Sequence, residues 1–380
     1  MKIAYCILGT FSSGGAERVL ANKANALVKR GVEVYIITTD QAGRKPFYAL
    51  DERIQCYDLD INYMSRRNPF YWQKAYHYWD NIRKHKQRLK ALLKRLQVDI
   101  TISMNGFEVY FLPSIHDGSK KILEFHIDYD FFQFFKRKGL KGLFDRYIIQ
   151  RTLFAIKKYN RFIILTHEDA INWSRYEDIL EIIPNARTFD NEQSVALLEN
   201  KKVLAVGRYT HQKGFERLVQ AWSLVHKTIK DWTLHIVGEG ELRQALQCQI
   251  NELHLQDSVF LDGPSSHIRE KYLESSILAV SSYHEGFSMV ILEAESLGVP
   301  VVSFACPCGP RDIIRDGEDG FLVPNGDVQQ LAGRLMELMK DEMKRKEMGR
   351  RAFLNSKRFS EEVVMEKWMW LFHQLTGTLT

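Results

Sequence analysis

Cysteine is scarce in this chain and does not pair by spacing. Cys6, Cys56, Cys248, Cys306 and Cys308 make an odd, scattered set in 380 residues, which argues against a disulfide framework. Cys306-Pro307-Cys308 is too tight for the usual zinc spacing and has no second Cys/His pair nearby. No apolar run approaches the ~18 residues that a membrane-spanning helix needs. The first residues, Met1-Lys2-Ile3-Ala4-Tyr5, enter a short strand with no h-region and no cleavage site, so no secretory signal is expected and the expected compartment is the cytoplasm. A dinucleotide fingerprint is also missing: Gly9 and Gly14 do not make G-x-G-x-x-G, which weighs against a nicotinamide enzyme.

What is present is ordinary globular composition, with 45% apolar and 26% charged residues, and a length that suggests two domains or three. The formal net charge of +6 conceals a division. Residues 1–184 hold 30 basic and 20 acidic side chains, a net of +10, whereas residues 185–380 hold 23 and 27, a net of −4. A cationic first half points to an anionic partner, membrane or nucleic acid.

The apolar pattern predicts two successive α/β domains. Short apolar runs at 2–8, 32–38, 98–103, 121–125 and 161–166 read as buried strands. Val19, Leu20, Ala24, Leu27 and Val28 keep helical spacing between the first two runs and stop at Gly31. In the second half, strands are expected at 202–206, 233–237, 259–261, 278–281 and 299–303, with helices near 215–227, 242–253, 266–273 and 288–297. Alternation of this kind predicts two doubly wound parallel sheets, with ligands at the carboxyl ends of the strands and a cleft between the domains. The boundaries are set at 1–184, 185–360 and a last helical segment, 361–380, expected to pack back on the first domain through Val364, Trp368, Leu371 and Leu375.

Three stretches carry candidate chemistry. Gly14-Gly15-Ala16-Glu17-Arg18 joins a strand to a helix, where paired glycines admit an anionic ligand close to the backbone; a flexible turn fits the spacing as well. Arg208 and Lys213, in Val206-Gly207-Arg208-Tyr209-Thr210-His211-Gln212-Lys213-Gly214, could hold a phosphate or form a solvated charge pair. In Ser281-Ser282-Tyr283-His284-Glu285-Gly286-Phe287-Ser288-Met289-Val290 the amides from Phe287 to Val290 open a helix and point at an anion. Glu285 and Glu293 would repel a phosphate and so should face sugar hydroxyls; taken singly, Glu285 could be a helix-dipole partner and Glu293 an exposed helix residue.

The Glu285/Glu293 pair within H-E-G-F-S-M-V-I-L-E-A resembles the signature of the retaining glycosyltransferases of family 4 (glycosyltransferase group 1). G-G-A-E-R-V near the start, I-I-P-N-A at 182–186, V-G-R-Y-T-x-Q-K-G-F at 206–215, V-G-E-G at 237–240, E-A-x-S-L-G-V-P-V-V-S at 293–303 and G-P-R-D-I-I-R-D-G-E-D-G-F-L-V at 309–323 follow in family order. The resemblance implies a GT-B fold: two Rossmann-like domains facing each other across a cleft, the first binding acceptor and the second the nucleotide sugar. It implies that Arg208 and Lys213 contact the donor diphosphate and that the backbone at Gly286, Phe287, Ser288, Met289 and Val290 holds the distal phosphate. Glu293 would bind ribose, Glu285 the donor sugar, Gly15 the Gly-rich loop contact, and His126, in Leu123-Glu124-Phe125-His126-Ile127-Asp128, the transferred sugar. On the residues alone His126 could equally be a structural histidine. Ser288 stands where many members have Gly or Pro, which bears on the donor pocket. No metal is expected to be required.

The stretch C-P-C-G-P-R-D-I-I resembles hexose and N-acetylhexosamine transferases, so the expected donor is UDP-Gal, UDP-GalNAc or UDP-Glc. On the acceptor side, residues 62–97 carry ten Lys/Arg against one acid, Asp80, among Tyr63, Phe70, Tyr71, Trp72, Tyr76, Tyr78 and Trp79. A second basic-aromatic patch spans residues 131–138. Such composition suits an anionic membrane or nucleic acid; a solvated helix packing Leu89, Leu92, Leu93 and Leu96 inward is the plainer alternative. The resulting expectation is a cytoplasmic enzyme, peripheral on the inner face of the cytoplasmic membrane. It would transfer sugar to a glycan or polyprenyl-diphosphate-linked acceptor in capsule, O-antigen or exopolysaccharide synthesis, with no nucleic-acid partner. A non-catalytic scaffold of a glycan assembly complex and a sugar-nucleotide epimerase are the rivals.

Overall fold

The computed structural model describes residues 1–64, 71–129, 140–189 and 195–377. The chain divides into two compact units: Met1–Leu165, Asp169–Pro184 and Glu362–Thr380 form the first, and Thr166–Glu168 and Asn185–Glu361 the second.

In the first unit β1 (Lys2–Ile7), β2 (Glu33–Thr38), β3 (Gln55–Asp58), β4 (Ile100–Ser103), β5 (Lys120–Glu124), β6 (Arg161–Ile164) and β7 (Leu180–Ile182) form one sheet, in the order β3-β2-β1-β4-β5-β6-β7. Every pairing in it is parallel. The central strands are buried along nearly their whole length, which is why they read as unbroken apolar runs rather than alternating ones. The helix Tyr71–Leu96 lays Leu89, Leu92, Leu93 and Leu96 into the core beneath this sheet. The C-terminal helix Glu361–Thr376 buries Val364, Met365, Trp368, Leu371 and Phe372; Leu375, expected on that face, is half-buried.

In the second unit β8 (Lys202–Val206), β9 (Thr233–Val237), β10 (Val259–Leu261), β11 (Ile277–Val280), β12 (Val301–Phe304) and β13 (Gly320–Val323) form a sheet in the order β10-β9-β8-β11-β12-β13, again all parallel. Its core gathers around Trp222 and Trp232 with Leu218, Leu234, Ile236 and Leu335. Both sheets are the doubly wound α/β type expected from sequence. Strand order reverses direction between β1 and β4 and between β8 and β11, and at such switch points the loops leaving the carboxyl ends diverge to leave room for a ligand.

Three strands escaped the sequence reading: β3, β7 and β13. Each is a sheet edge of three or four residues, and β3 is largely exposed, so its pattern carries little apolar signal.

Candidate active site

The loops after β8 and β11, the two strands flanking the second switch point, carry most of the candidate residues. They are bound to each other. Tyr283 donates its amide to Gln212 O at 2.8 Å, Ser281 Oγ donates to Lys213 O at 2.9 Å, and Gln212 Nε2 donates to His284 O at 3.2 Å. Arg217, one helical turn beyond Lys213, reaches back to Ser281 O at 2.5 Å and to Asn325 Oδ1 at 3.1 Å, with its guanidinium stacked 3.6 Å from the Tyr283 ring. Close approach here demands glycine at one neighbouring point: a Cβ on Gly238 would lie 1.9 Å from Gly207 O.

Within this frame Lys213 Nζ lies 2.8 Å from Glu285 Oε1, which also accepts from Ser282 Oγ at 2.5 Å. Glu285 is buried, so a carboxylate with two donors beside it is held in one orientation. Arg208 is exposed, with no ion-pair partner for its guanidinium among the described residues. Gly286 then turns the chain into the helix Met289–Ser296. Its first intrahelical bonds are those of Ile291 and Leu292 to Ser288 O, so the amides of Met289 and Val290 belong to the first turn, which a helix leaves without an intrahelical acceptor. Phe287 is buried against Phe359. Ser288, at the helix cap, is 1% exposed, and its hydroxyl has no hydrogen-bond partner among the described residues. Gly309 backs this turn at φ +104°, where an added Cβ would meet Ser288 N at 2.9 Å, so the support tolerates only glycine.

Glu293 is not an exposed helix residue. It is 3% exposed, accepts from Tyr272 Oη at 2.9 Å and lies 3.4 Å from Thr188 Oγ1.

In the first unit, Gly15 opens the helix Gly15–Lys29 after the cap residue Gly14, and a Cβ added to Gly15 would meet nothing within 4 Å. Glu17 folds over this helix start and accepts from Ser12 Oγ. His126 follows β5, and its Nε2 lies 3.1 Å from Glu124 Oε1. Glu124 is fully buried and paired with Lys23 from the helix Gly15–Lys29. Burial opposes its ionisation, yet Lys23 and then His126 hold the carboxyl down at about 2.

The basic helix Tyr71–Leu96 mixes committed and uncommitted cations. Arg88 donates to the carbonyls of Leu59 and Asp60, and Lys84 pairs with Asp80 at 2.7 Å, while Arg83, Lys90 and Lys94 are exposed. The side chains of Tyr71, Trp72 and Tyr76, together with Phe70 and the patch at 131–138, lie outside the described residues. On the helix Leu140–Ile156, Leu143, Tyr147 and Phe154 share one exposed face with Gln150 and have Arg146 and Lys157 beside them. Two Asp-x-Asp stretches occur, Asp58-Leu59-Asp60 and Asp128-Tyr129-Asp130. Asp58 is spent on the amides of Ala42 and Asp60, and no group of three or more His, Cys, Asp or Glu among the described residues could hold a metal ion.

Sequence reasoning missed Arg217, Tyr272 and the Lys23–Glu124 pair. Arg217 carried a faint signal, a cation at the third position of an otherwise apolar helix face. Tyr272 and Lys23 carried none, because their partners are 21 and 101 residues away.

Residues 186–354 match the family described as Glycosyl transferases group 1, and residues 13–188 match Glycosyltransferase Family 4. The chain is 30% identical over 372 residues to an uncharacterized glycosyltransferase of Haemophilus influenzae, covering 97% of this chain and 98% of that one. It is 28% identical to the amylovoran biosynthesis glycosyltransferase AmsD of Erwinia amylovora, with 97% and 98% covered. It is 27% identical to an α-1,4-N-acetyl-D-galactosaminyltransferase of Campylobacter jejuni, named for an undecaprenol-diphosphate-linked substrate, with 99% of each chain covered. In fold it resembles sucrose-phosphate synthase from Thermosynechococcus elongatus, at TM-score 0.83 and 18% identity over 99% of each chain. It also resembles Anabaena HepE in complex with UDP and glucose, at TM-score 0.74 and 17% identity over 98% of this chain and 100% of that one.

Proposed function

The chain belongs to the family 4, group 1 glycosyltransferases and has their GT-B fold class, and on that premise we propose that it is a retaining enzyme of bacterial surface-polysaccharide assembly. It moves a hexose or N-acetylhexosamine from UDP-Gal, UDP-GalNAc or UDP-Glc to a glycan acceptor carried on a polyprenyl diphosphate. The names of the Erwinia and Campylobacter relatives support the surface-glycan setting and the lipid-linked acceptor, and the UDP complex of HepE supports the donor.

The observation that carries this reading is the start of the helix Met289–Ser296. A buried hydroxyl without a partner among the described residues, Ser288 Oγ, sits at a helix cap whose first-turn amides await an acceptor, three residues after Glu285 of the Lys213–Glu285 pair. Hydroxyl, amides and ammonium together form a site for a phosphate group. In the reaction the bond from the anomeric carbon to the diphosphate oxygen breaks. The acceptor hydroxyl oxygen bonds to that carbon on the same face, and its proton passes to the departing diphosphate. Negative charge grows on the leaving group, so Lys213, Arg208 and the amides from Phe287 to Val290 act most strongly in the transition state. Glu293 takes the ribose hydroxyls, Glu285 and His126 the sugar, and Gly15 lets the donor approach the backbone of the first unit. No metal ion is part of this proposal.

The first unit supplies the acceptor side from the inner face of the cytoplasmic membrane. Support comes from the exposed Leu143, Tyr147 and Phe154 with cations on either side, and from the net +10 of residues 1–184. No helix of the described residues is long and apolar enough to cross a bilayer. The test is a thermal-shift screen of the full chain with sugar nucleotides, followed by calorimetry with UDP. Binding of UDP and of one UDP-hexose is expected to raise the melting temperature. Absence of any shift with UDP and with all three sugars would remove the donor assignment.

A further inference from the structure

We infer that Glu168 is a positioning residue for the donor turn: by holding the amide of Cys308 it keeps the loop 305–309 against the backbone of Glu285 and Ser288. The inference rests on the donor role proposed above for that turn. The segment Thr166–Glu168 belongs to the second unit, although the chain on either side of it belongs to the first. Both backbone and side chain are bound there. Asp312 Oδ1 accepts the amide of His167 at 2.6 Å, and Oδ2 accepts that of Glu168 at 3.3 Å. The Glu168 carboxylate accepts from the Cys308 amide through Oε2 at 3.2 Å and from Arg311 through Oε1 at 2.6 Å. Arg311 also donates to Ala305 O at 2.6 Å, so the two ends of the loop are tied together.

What these bonds hold is a backbone that would not hold itself. Cys308 is not glycine, yet its φ is +59°, in the left-handed region where a Cβ crowds the backbone. Such a residue keeps that conformation only where its surroundings over-determine it. Its two neighbours are the ones that meet the donor turn. Pro307 O accepts the amide of Glu285 at 3.1 Å, and Gly309 packs so closely that an added Cβ would lie 2.9 Å from Ser288 N. Relaxation of Cys308 to a right-handed or extended form would move both neighbours, and with them Glu285 and the start of the helix Met289–Ser296. A partly exposed ion pair such as Glu168–Arg311 contributes little to stability by itself. Its consequence here is the position of the groups proposed to meet the sugar and the leaving phosphate.

The test is UDP calorimetry and kinetics on full-length Glu168→Ala, Cys308→Gly and the double variant, with the UDP-hexose found by the thermal-shift screen and with melting measured alongside. Glu168→Ala should lower kcat by about 10–100-fold, the scale of a misplacement on the order of 1 Å. Donor KM should rise by a smaller factor, because the charge that the turn meets is largest in the transition state. Cys308→Gly puts at this point the residue that takes a left-handed φ without strain, so alone it should stay within about twofold of wild-type kcat. In the double variant kcat should return to within about threefold of Cys308→Gly, a rescue that the loss of a merely stabilising ion pair would not give. If Glu168→Ala does not fold, Glu168→Asp, one methylene shorter, takes its place in the same set. Wild-type kcat in the folded Glu168 variant overturns the inference. So does a loss that Cys308→Gly leaves unrelieved, or a Cys308→Gly enzyme as impaired as Glu168→Ala. Wild-type enzyme that binds no UDP would instead remove the donor reading itself.

Discussion

The two units hold their candidate residues by different means. In the second, Lys213, Glu285 and the helix start after Gly286 come from two neighbouring loops that hydrogen-bond to each other, so the arrangement is settled before any ligand arrives. In the first, His126 stands 3.1 Å from an ion pair whose members lie 101 residues apart, with a tryptophan from the far end of the chain against it. The proposed nucleotide side is therefore a local property of two short segments, and the candidate residues of the first unit a property of that whole unit.

That contrast is sharpest at Lys213. Lys213→Ala should lower kcat by about 10²–10³-fold, because charge on the leaving diphosphate is largest in the transition state. The same change leaves the buried Glu285 with Ser282 alone, so melting is measured alongside. Wild-type kcat in a folded variant would remove Lys213 from the reaction. Glu293 should behave differently. On the proposed ribose role, Glu293→Ala would remove hydrogen bonds made in ground and transition states alike, so donor KM should rise by about tenfold with kcat little changed. Tyr272→Phe, which removes only the 2.9 Å bond to Glu293, should raise KM less. A larger loss in kcat than in KM for Glu293→Ala would move Glu293 from binding to chemistry.

The sequence already showed both sheets, because the central strands of a parallel sheet are buried on two faces and appear as continuous apolar runs. β3 and β7 were illegible because a short edge strand has one neighbour and little burial, and β13, though buried, is only the four residues Gly320–Val323 and opens on a glycine, too short a run to stand out. The same division applies to the site. Arg208, Lys213, Glu285 and Glu293 could be named as candidates because each stands in a short motif after a strand, whereas the contact of Lys213 with Glu285, 72 residues apart, and the hydroxyl of Ser288, without a partner among the described residues, came only from the structure. Glu124 and Tyr272 could not be named, since a buried acid's partner is set by topology and no periodicity announces it. The exposed reading of Glu293 failed for the same reason: its helix is buried nearly all round from Ile291 to Ser296, so the solvent face a helix usually offers is absent.

The surface of the first unit gives a smaller, graded effect. Arg83, Lys90 and Lys94 are exposed, whereas Arg88 is occupied with backbone carbonyls and should be left in place. At about 1 kcal/mol per cation near an anionic surface, replacing these three with Gln should weaken affinity for anionic vesicles by up to about 100-fold at low salt, read by cosedimentation, with UDP affinity unchanged. Replacing Leu143, Tyr147 and Phe154 with Ser should weaken it even at high salt, where screening removes the charge contribution first. Equal binding of wild-type enzyme to neutral and anionic vesicles would refute the electrostatic part, and no binding to either would refute membrane contact.

The smallest effect separates the units by pH. Glu124 in the first unit has its carboxyl held down at about 2, so its contribution to stability is present above the unfolded value and is lost as pH falls from about 4.3 towards 2. Glu295 in the second unit behaves in the opposite sense. It is 0% exposed, Oε1 has no hydrogen-bond partner among the described residues, and Asn355 Nδ2 is 3.5 Å from Oε2. Burial first, and the nearby Asp319 second, push its carboxyl well above the ordinary range, against a smaller pull from Arg358. The folded chain therefore keeps a proton that the unfolded chain releases, and stability falls as pH rises above about 4.3. Glu295→Gln carries no such proton and keeps an amide oxygen that can accept from Asn355 Nδ2. The variant should match wild type near pH 4.5 and exceed it increasingly towards pH 8, by about 1.4 kcal/mol for each pH unit over which only the folded wild-type chain keeps the proton. At this size of unit, each kcal/mol is worth about 2–4 °C in melting temperature. Thermal scans of both proteins across that range decide it. A gap that does not widen with pH would mean that Glu295 is not protonated in the folded chain, and a variant less stable at pH 8 would mean that the carboxylate is ionised and paired with Arg358.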